Sequence, residues 1–352
     1  MKKIIAIVII VLVCFSIGFM LVAGMEYRGG YVFSEDFSKI AVSFYGDPSS
    51  SRGFSFFTES EEYKDICNVQ LDPADTEQTS PDFRDSDNII LDAVSHLTQY
   101  VSPRQLRHYT MVDDLEPGTK YFYRVGSEEK NTWSPWGYFT TDNNDNVFEF
   151  LHITDSQAKS EEEFEAYADS LSKAFEICGI PEFVITTGDL VETGLFSTEW
   201  DLFFEKTQDM MMKTTFVPAS GNHEIIPPPI NYHFYLDNIS SSTTSRVQYA
   251  YEYGNALFVI LDTNDLSLTS QISWLEDVLS NSDKEFKIVG FHKAPFSSGN
   301  HAEQSDIMKI RDMLVPVLSE YQVDLVLNGH DHIYCRTYPL IDKEIGNWDS
   351  RT

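Results

Sequence analysis

The sequence predicts an antiparallel β-sandwich over 28–145 followed by an α/β domain over 146–352. Three observations carry this: strict period-two patterning in the first part, strands alternating with helices in the second, and a polar, turn-prone run between them. In the first part Ile40, Val42 and Phe44 alternate with Ala41, Ser43 and Tyr45 before the turn Gly46-Asp47-Pro48. Tyr121, Tyr123 and Val125 alternate likewise after Leu115-Glu116-Pro117-Gly118-Thr119. Period two between Pro/Gly turns is the pattern of antiparallel strands with one face inward. The run Thr141-Asp142-Asn143-Asn144-Asp145-Asn146 makes the boundary. Beyond it, Phe148 to Ile153 predicts a strand. Ser160 and Glu163 then form a capping-box pair ahead of Phe164, Tyr167, Ala168, Leu171 and Phe175, which share one helix face, and Gly179-Ile180-Pro181 ends that helix. Phe183 to Thr187, Phe286 to Phe291 and Val323 to Leu327 predict further strands, with a helix over Ile307 to Leu318.

The chain begins Met-Lys-Lys and continues with an uncharged apolar run, residues 4–23. A basic start and an apolar segment are an export signal, and this run is also long enough to span a bilayer. Residues 1–27 are therefore read as a signal peptide cleaved near Val22-Ala23-Gly24 or as a retained membrane anchor. Either way, the body of the protein is expected outside the cytosol, secreted or held at the outer face of the cytoplasmic membrane. A formal net charge of −30, from 55 acids against 25 Lys plus Arg, argues against nucleic acid or anionic lipid as general partners. Beyond Cys14 in the apolar run, Cys67, Cys178 and Cys335 are widely spaced and odd in number, so no disulfide framework or zinc-binding Cys pair is expected.

Five short segments carry the chemistry. They are His152-Ile153-Thr154-Asp155-Ser156-Gln157, Gly188-Asp189, Gly221-Asn222-His223-Glu224, His292 in Gly290-Phe291-His292, and Gly329-His330-Asp331-His332. Each follows a predicted strand or turn, and in α/β folds ligands gather where strands end and loops begin. Their carboxylate, amide and imidazole donors, without thiolate, suit hard or borderline divalent ions and suffice for two of them. Asp155 and Gln157 have period-two spacing, so at a strand end both can point to one side. The one-residue spacing of His330 and His332 lets one loop serve both ions. Singly, each motif would more often be a turn, a cap or a packed histidine; the ordered set is specific.

That series resembles the calcineurin-like metallophosphoesterase superfamily. With Pro117-Gly118-Thr119-Lys120-Tyr121 and the run Gly329 to Arg336, the chain is similar to purple acid phosphatases. The stretch Leu115 to Tyr121 resembles a fibronectin type III strand with its corner tyrosine. The resemblance implies an α/β core in the α+β-sandwich arrangement, four layers in the order αββα, behind the antiparallel β-sandwich domain. It implies a first metal held by Asp155, Gln157, Asp189 and His332, and a second by Asp189, Asn222, His292 and His330. The ions would be Mn, Fe or Zn. The substrate would be a phosphate ester, hydrolysed by attack of a metal-bridging hydroxide. His223 would face the phosphate and protonate the leaving oxygen, with Glu224 orienting it, and His301 would contact substrate. His152 reads as a packed residue.

The chain departs from that family at a definite point. The resemblance would place a metal-bound tyrosine at position 192, where this chain has Glu192, and Gln157 stands where other members carry a stronger donor. A colourless protein follows, with less preference for Fe(III) at the first site. The resemblance also implies further strands after Tyr338-Pro339, so the closing part of the second sheet is expected to be short or missing. The leading expectation is an extracellular phosphomonoesterase. A phosphodiesterase using the same site, or a cell-surface binding protein with a weakened metal site, are the alternatives.

Overall fold

The computed structural model describes residues 36–74, 78–84, 87–98, 105–225, 230–236, 247–265 and 268–345. The apolar N-terminal run lies outside the described residues. Among those described, no helix is long and apolar enough to cross a membrane.

The first part is a sandwich of antiparallel strands: β1 (Ser38–Ser43), β2 (Arg52–Thr58), β3 (Asn68–Ala74), β4 (Ile89–Asp92), β5 (Val94–Leu97), β6 (Leu106–Val112), β7 (Lys120–Ser127), β8 (Thr132–Trp133) and β9 (Gly137–Thr140). One sheet holds β1, β2, β6 and β5; the facing sheet runs β4-β3-β7-β8, with β9 also on β7. Phe54, Phe56, Val69, Leu71, Tyr123 and Val125 fill the space between them. For Tyr123 and Val125, the alternation read from the sequence is what turns the side chains inward. The corner residue Tyr121 is buried, and its hydroxyl accepts a hydrogen bond from the Glu116 amide at 3.0 Å.

The second part adds three strands to the first of these sheets and builds another, mixed sheet. Strands β10 (Phe150–His152), β11 (Phe183–Thr186) and β12 (Thr215–Pro218) are parallel, and β12 pairs in parallel with β1, Ser43 opposite Phe216. The result is one seven-stranded sheet in the order β10-β11-β12-β1-β2-β6-β5. The other sheet holds β13 (Tyr249–Tyr253), β14 (Ala256–Ile260), β15 (Phe286–Lys293) and β16 (Leu325–Gly329), parallel except for β13. A short hairpin, β17 (Leu340–Ile341) with β18 (Glu344–Ile345), follows.

Side-chain parity separates the layers. Ala256, Phe258 and Ile260 face the first sheet and meet Phe183 and Tyr251, with the Phe183 and Phe258 rings edge to face at 5.3 Å. Leu257 and Val259 face the other way, against helices α3 (Thr269–Asn281) and α4 (Ser305–Glu320), through Leu275, Leu279, Ile310 and Leu314. Helices α1 (Glu161–Cys178) and α2 (Ser197–Met211) pack on the first sheet with Phe164, Tyr167, Trp200 and Phe203. The order is therefore αββα. Each fully buried aromatic here contributes on the order of 1.5–3 kcal/mol. Helix α1 starts where the sequence predicts: Ser160 accepts from the Glu163 amide and Glu163 caps back, a box worth about 1 kcal/mol.

One boundary differs. Strand β15 runs on to Lys293, so His292 lies inside the strand rather than just past it. Pairing with β16 continues that far, Lys293 opposite Gly329, after a register shift.

Candidate metal centre

The site forms where β10, β11, β12, β15 and β16 deliver their C-terminal ends to one edge of the two sheets. Asp155 and Gln157 follow β10 but not as alternating strand residues. The strand stops at His152, and both residues have positive φ, 54° and 38°. Asp189, His330 and His332 are also in the left-handed region, with φ of 52°, 79° and 50°. For non-glycine residues that conformation costs of order 1–3 kcal/mol each and persists only where the surroundings enforce it. Tight turns, not strand parity, aim these side chains.

The enforcing contacts are specific. The Asp155 amide donates to Gly188 O at 3.1 Å and the Gln157 amide to Asp189 O at 2.7 Å. Asp155 Oδ1 accepts from the His330 amide at 2.8 Å, and Asp189 Oδ1 from the His223 amide at 2.9 Å. Glycine is needed where two loops meet: a Cβ on Gly221 would lie 2.0 Å from Asp189 Oδ1.

Asp189 belongs to both groups of converging donors. Asp189, His292 and His330 bring ligand atoms within 4.8 Å of one another, and so do Asp155, Asp189 and His332. Around His292 Nε2 lie Asp189 Oδ2 at 3.1 Å, Asn222 Oδ1 at 3.0 Å and His330 Nδ1 at 3.1 Å. His292 Nδ1 faces the Thr187 carbonyl at 2.9 Å, and since a carbonyl only accepts, Nδ1 must donate. In the neutral ring Nε2 then presents a lone pair, and even a protonated ring has one hydrogen for three acceptor-rich neighbours. A cation among these atoms would satisfy all four at once, so the donor set fits a metal.

Burial acts against charge throughout. It opposes the His292 imidazolium, yet Asp189, Asp155 and Glu224 together hold His292 above its ordinary value. It would push Asp189 up, but His292 and the His223 amide keep that carboxylate below the usual range. Asp155 is raised, chiefly by burial, and His330 is lowered to about 4 by burial, with His292 and His301 adding to it.

The remaining expected residues fall in different places. The His223 ring, about a quarter exposed, donates from Nδ1 to the Glu192 carbonyl and turns Nε2 to within 3.9 Å of Asp189 Oδ2. His301 is brought to the centre: its ring lies 4.5 Å from that of His330, and its buried Nδ1 has no partner among the described residues. Gln157 sits on the Asp155 loop with its side-chain amide donating to Glu192 Oε2 at 2.9 Å. His152 is packed, its Nε2 3.1 Å from Thr187 Oγ1, and burial lowers it to about 4.

Glu224, expected from the sequence to orient the His223 ring, turns its carboxylate to the backbone instead. Its carboxylate is fully buried and accepts from four backbone amides: Asp189 at 2.9 Å, Leu190 at 2.6 Å, Val191 at 3.4 Å and Gly221 at 2.8 Å. It ties the Asp189 loop to the Asn222 loop. Burial and the Asp189 carboxylate push Glu224 up to about 7, against those amides. Two contributors escape sequence reasoning. The Thr187 carbonyl fixes the His292 ring, and Asn264 Nδ2 donates to Ser220 O at 3.1 Å and Gly221 O at 3.0 Å. The first is backbone and leaves no sequence signal; the second stands just past β14, at the same sheet edge as the candidate ligands.

Comparison with known proteins agrees with this architecture. The calcineurin-like phosphoesterase model matches residues 148–334, more than half of the chain, and the purple acid phosphatase N-terminal domain model matches 37–141. Purple acid phosphatase 21 of Arabidopsis thaliana is 25% identical over 67% of this chain and 54% of its own length. Purple acid phosphatase 18 of the same plant is 27% identical over 65% of this chain and 53% of its own. The chain thus spans about half the length of the curated relatives it matches. A purple acid phosphatase from yellow lupin seeds shares the fold, with a TM-score of 0.66 and 14% identity over 84% of this chain and 58% of that one. By the extent of the phosphoesterase match, the chain belongs to the calcineurin-like phosphoesterase family, with a purple acid phosphatase-type N-terminal domain before it.

Proposed function

We propose that this protein is a dinuclear-metal phosphoesterase that hydrolyses phosphate monoesters outside the cytosol. The observation that carries the reading is Asp189, whose carboxylate belongs to both donor groups and so can bridge two ions. Asp155, Gln157, Asp189 and His332 would hold one ion, and Asp189, Asn222, His292 and His330 the other. When bound, such a pair supplies an activated water and positive charge for the phosphoryl oxygens. Two divalent ions against the two carboxylates leave the pocket positive, although the chain carries −30 overall. His223 Nε2 is the ring atom left to hand a proton to the leaving oxygen, because Nδ1 is committed to the Glu192 carbonyl. His301, beside His330, would contact the phosphate. Glu224 acts on no reacting atom; it keeps Asp189 and Asn222 at working distance. The extracellular assignment rests on the basic and apolar N-terminus.

The test is a panel of aryl phosphate mono- and diesters, assayed with Mn, Zn and Fe. Monoester turnover that vanishes in Asp189→Ala and Asn222→Ala is expected. Turnover confined to diesters would make the protein a diesterase. Absence of turnover with every metal would leave it a binding module.

A further inference from the structure

We propose that Glu192 is a positioning residue that fixes which end of the Gln157 amide faces the ion held with Asp155 and His332. The inference rests on the dinuclear reading above and concerns how this chain completes a site that has neither a tyrosine at 192 nor a stronger donor at 157.

The chemistry follows from one contact. Gln157 Nε2 lies 2.9 Å from Glu192 Oε2. An ionised carboxylate only accepts, so the NH2 end of the amide is the end that faces Glu192. Because the amide is planar, its oxygen then points away, free to donate to a cation. Unpinned, the same side chain could turn and present N–H groups, which repel a cation. The hydrogen bond to a charged acceptor also polarises the amide and enriches its oxygen, as a carboxylate behind a metal-bound histidine strengthens that ligand. A neutral amide, the weakest donor in the set, gains most from such a partner.

The backbone around the pair is built to hold it. Ala158 and Val191 form a parallel bridge, and the Glu192 amide donates to Ala158 O at 3.1 Å, flanking the Gln157 amide bond to Asp189 O. The two side chains therefore leave from either side of the one Ala158–Val191 bridge. Glu192 serves the other half of the site through its backbone, its carbonyl accepting from His223 Nδ1. Replacing the side chain leaves that carbonyl in place, so the effect on Gln157 can be separated from any effect on His223.

The experiment is a Mn2+ titration of the full chain by calorimetry, read without any substrate. Asn222→Ala and Gln157→Ala identify the step belonging to each ion. Glu192→Leu is expected to weaken the Gln157-dependent ion by roughly 10–100-fold, the usual worth of a partner behind a ligand, while the other ion keeps its affinity. Glu192→Gln, whose carbonyl can still accept from Gln157, is expected to recover part of that loss. In the Gln157→Ala background the Glu192 substitutions should have no further effect. Equal weakening of both ions, or the same loss with Gln157 already removed, overturns the proposal. If Glu192→Leu fails to fold, Glu192→Gln with and without Gln157→Ala decides the same question. A wild-type protein that binds no pair of ions overturns the dinuclear reading itself, a result distinguishable from a two-ion protein indifferent to residue 192.

Discussion

Glu224 grips Asp189 from behind: its Oε2 accepts the Asp189 amide at 2.9 Å and the Gly221 amide at 2.8 Å, so one carboxylate holds both the Asp189 loop and the Asn222 loop. The residue sits one position from His223, yet its carboxylate bonds backbone amides.

Substituting Glu224 by Ala strands several buried amides. Destabilisation of about 3 kcal/mol is expected, since each unsatisfied buried donor costs about 1–3 kcal/mol and neighbours relax together. Urea unfolding measures this, and metal content should fall in parallel because Asp189 and Asn222 lose their common anchor. A variant as stable as wild type would show that other acceptors replace Glu224.

Gly221→Ala places a Cβ where Asp189 Oδ1 now stands. The shared carboxylate must move, and a misplacement near 1 Å can cost about 100-fold in turnover. Loss of both ions and of at least that factor in activity is expected. Gly179 is the control: its φ is +83°, but nothing lies within 4 Å of its Cβ position. Gly179→Ala should cost only local strain and leave metal binding intact.

His108 gives a pH signature far from the centre. Its ring is buried between Thr58 Oγ1 at Nε2 and Ser95 Oγ at Nδ1, both 2.9 Å away, and stacks on Phe56. Burial lowers it from 6.5 to about 4. Folding therefore requires a neutral ring, so its stabilisation is present above 6.5 and is lost as pH falls through about 4. The urea midpoint should drop across that window, and His108→Gln should flatten the slope while lowering stability at pH 7. Parallel curves for the two proteins would show that another group titrates.

Position 192 carries a glutamate that accepts from Gln157, so no phenolate is available there for a ferric ion. The metal-loaded protein should lack a visible charge-transfer band with Mn, Zn or Fe. A purple or pink preparation would require a tyrosine from elsewhere.

Much of this was legible in the sequence because it rests on local rules. Ser160 and Glu163 announced the start of α1, and the alternation at Tyr121, Tyr123 and Val125 announced an inward face. Four of the five donor segments were readable because strand, turn and candidate ligand are contiguous in each; His292 stands inside its strand. What escaped was set by partners distant in sequence. Glu224 looks like an acid next to a catalytic histidine, but four amides from two loops claim it. Asp155 and Gln157 look like strand positions, but bonds to Gly188 and Asp189 pull both into left-handed turns. His292 looked like a loop ligand because pairing with β16 cannot be counted from one strand.

The pairing of β1 with β12 makes the order of synthesis matter. Ser43 meets Phe216 only after the first strands of the α/β part have been made, and the same seam is stitched by Gln208 to the Ile40 backbone and by Arg52 to Thr215. Early strands of the sandwich must therefore wait on the ribosome with one edge bare. A chain cut at the boundary between the halves would expose that edge permanently, so the N-terminal half is expected to aggregate when expressed alone, and the phosphoesterase half to lose the neighbour that closes its first sheet.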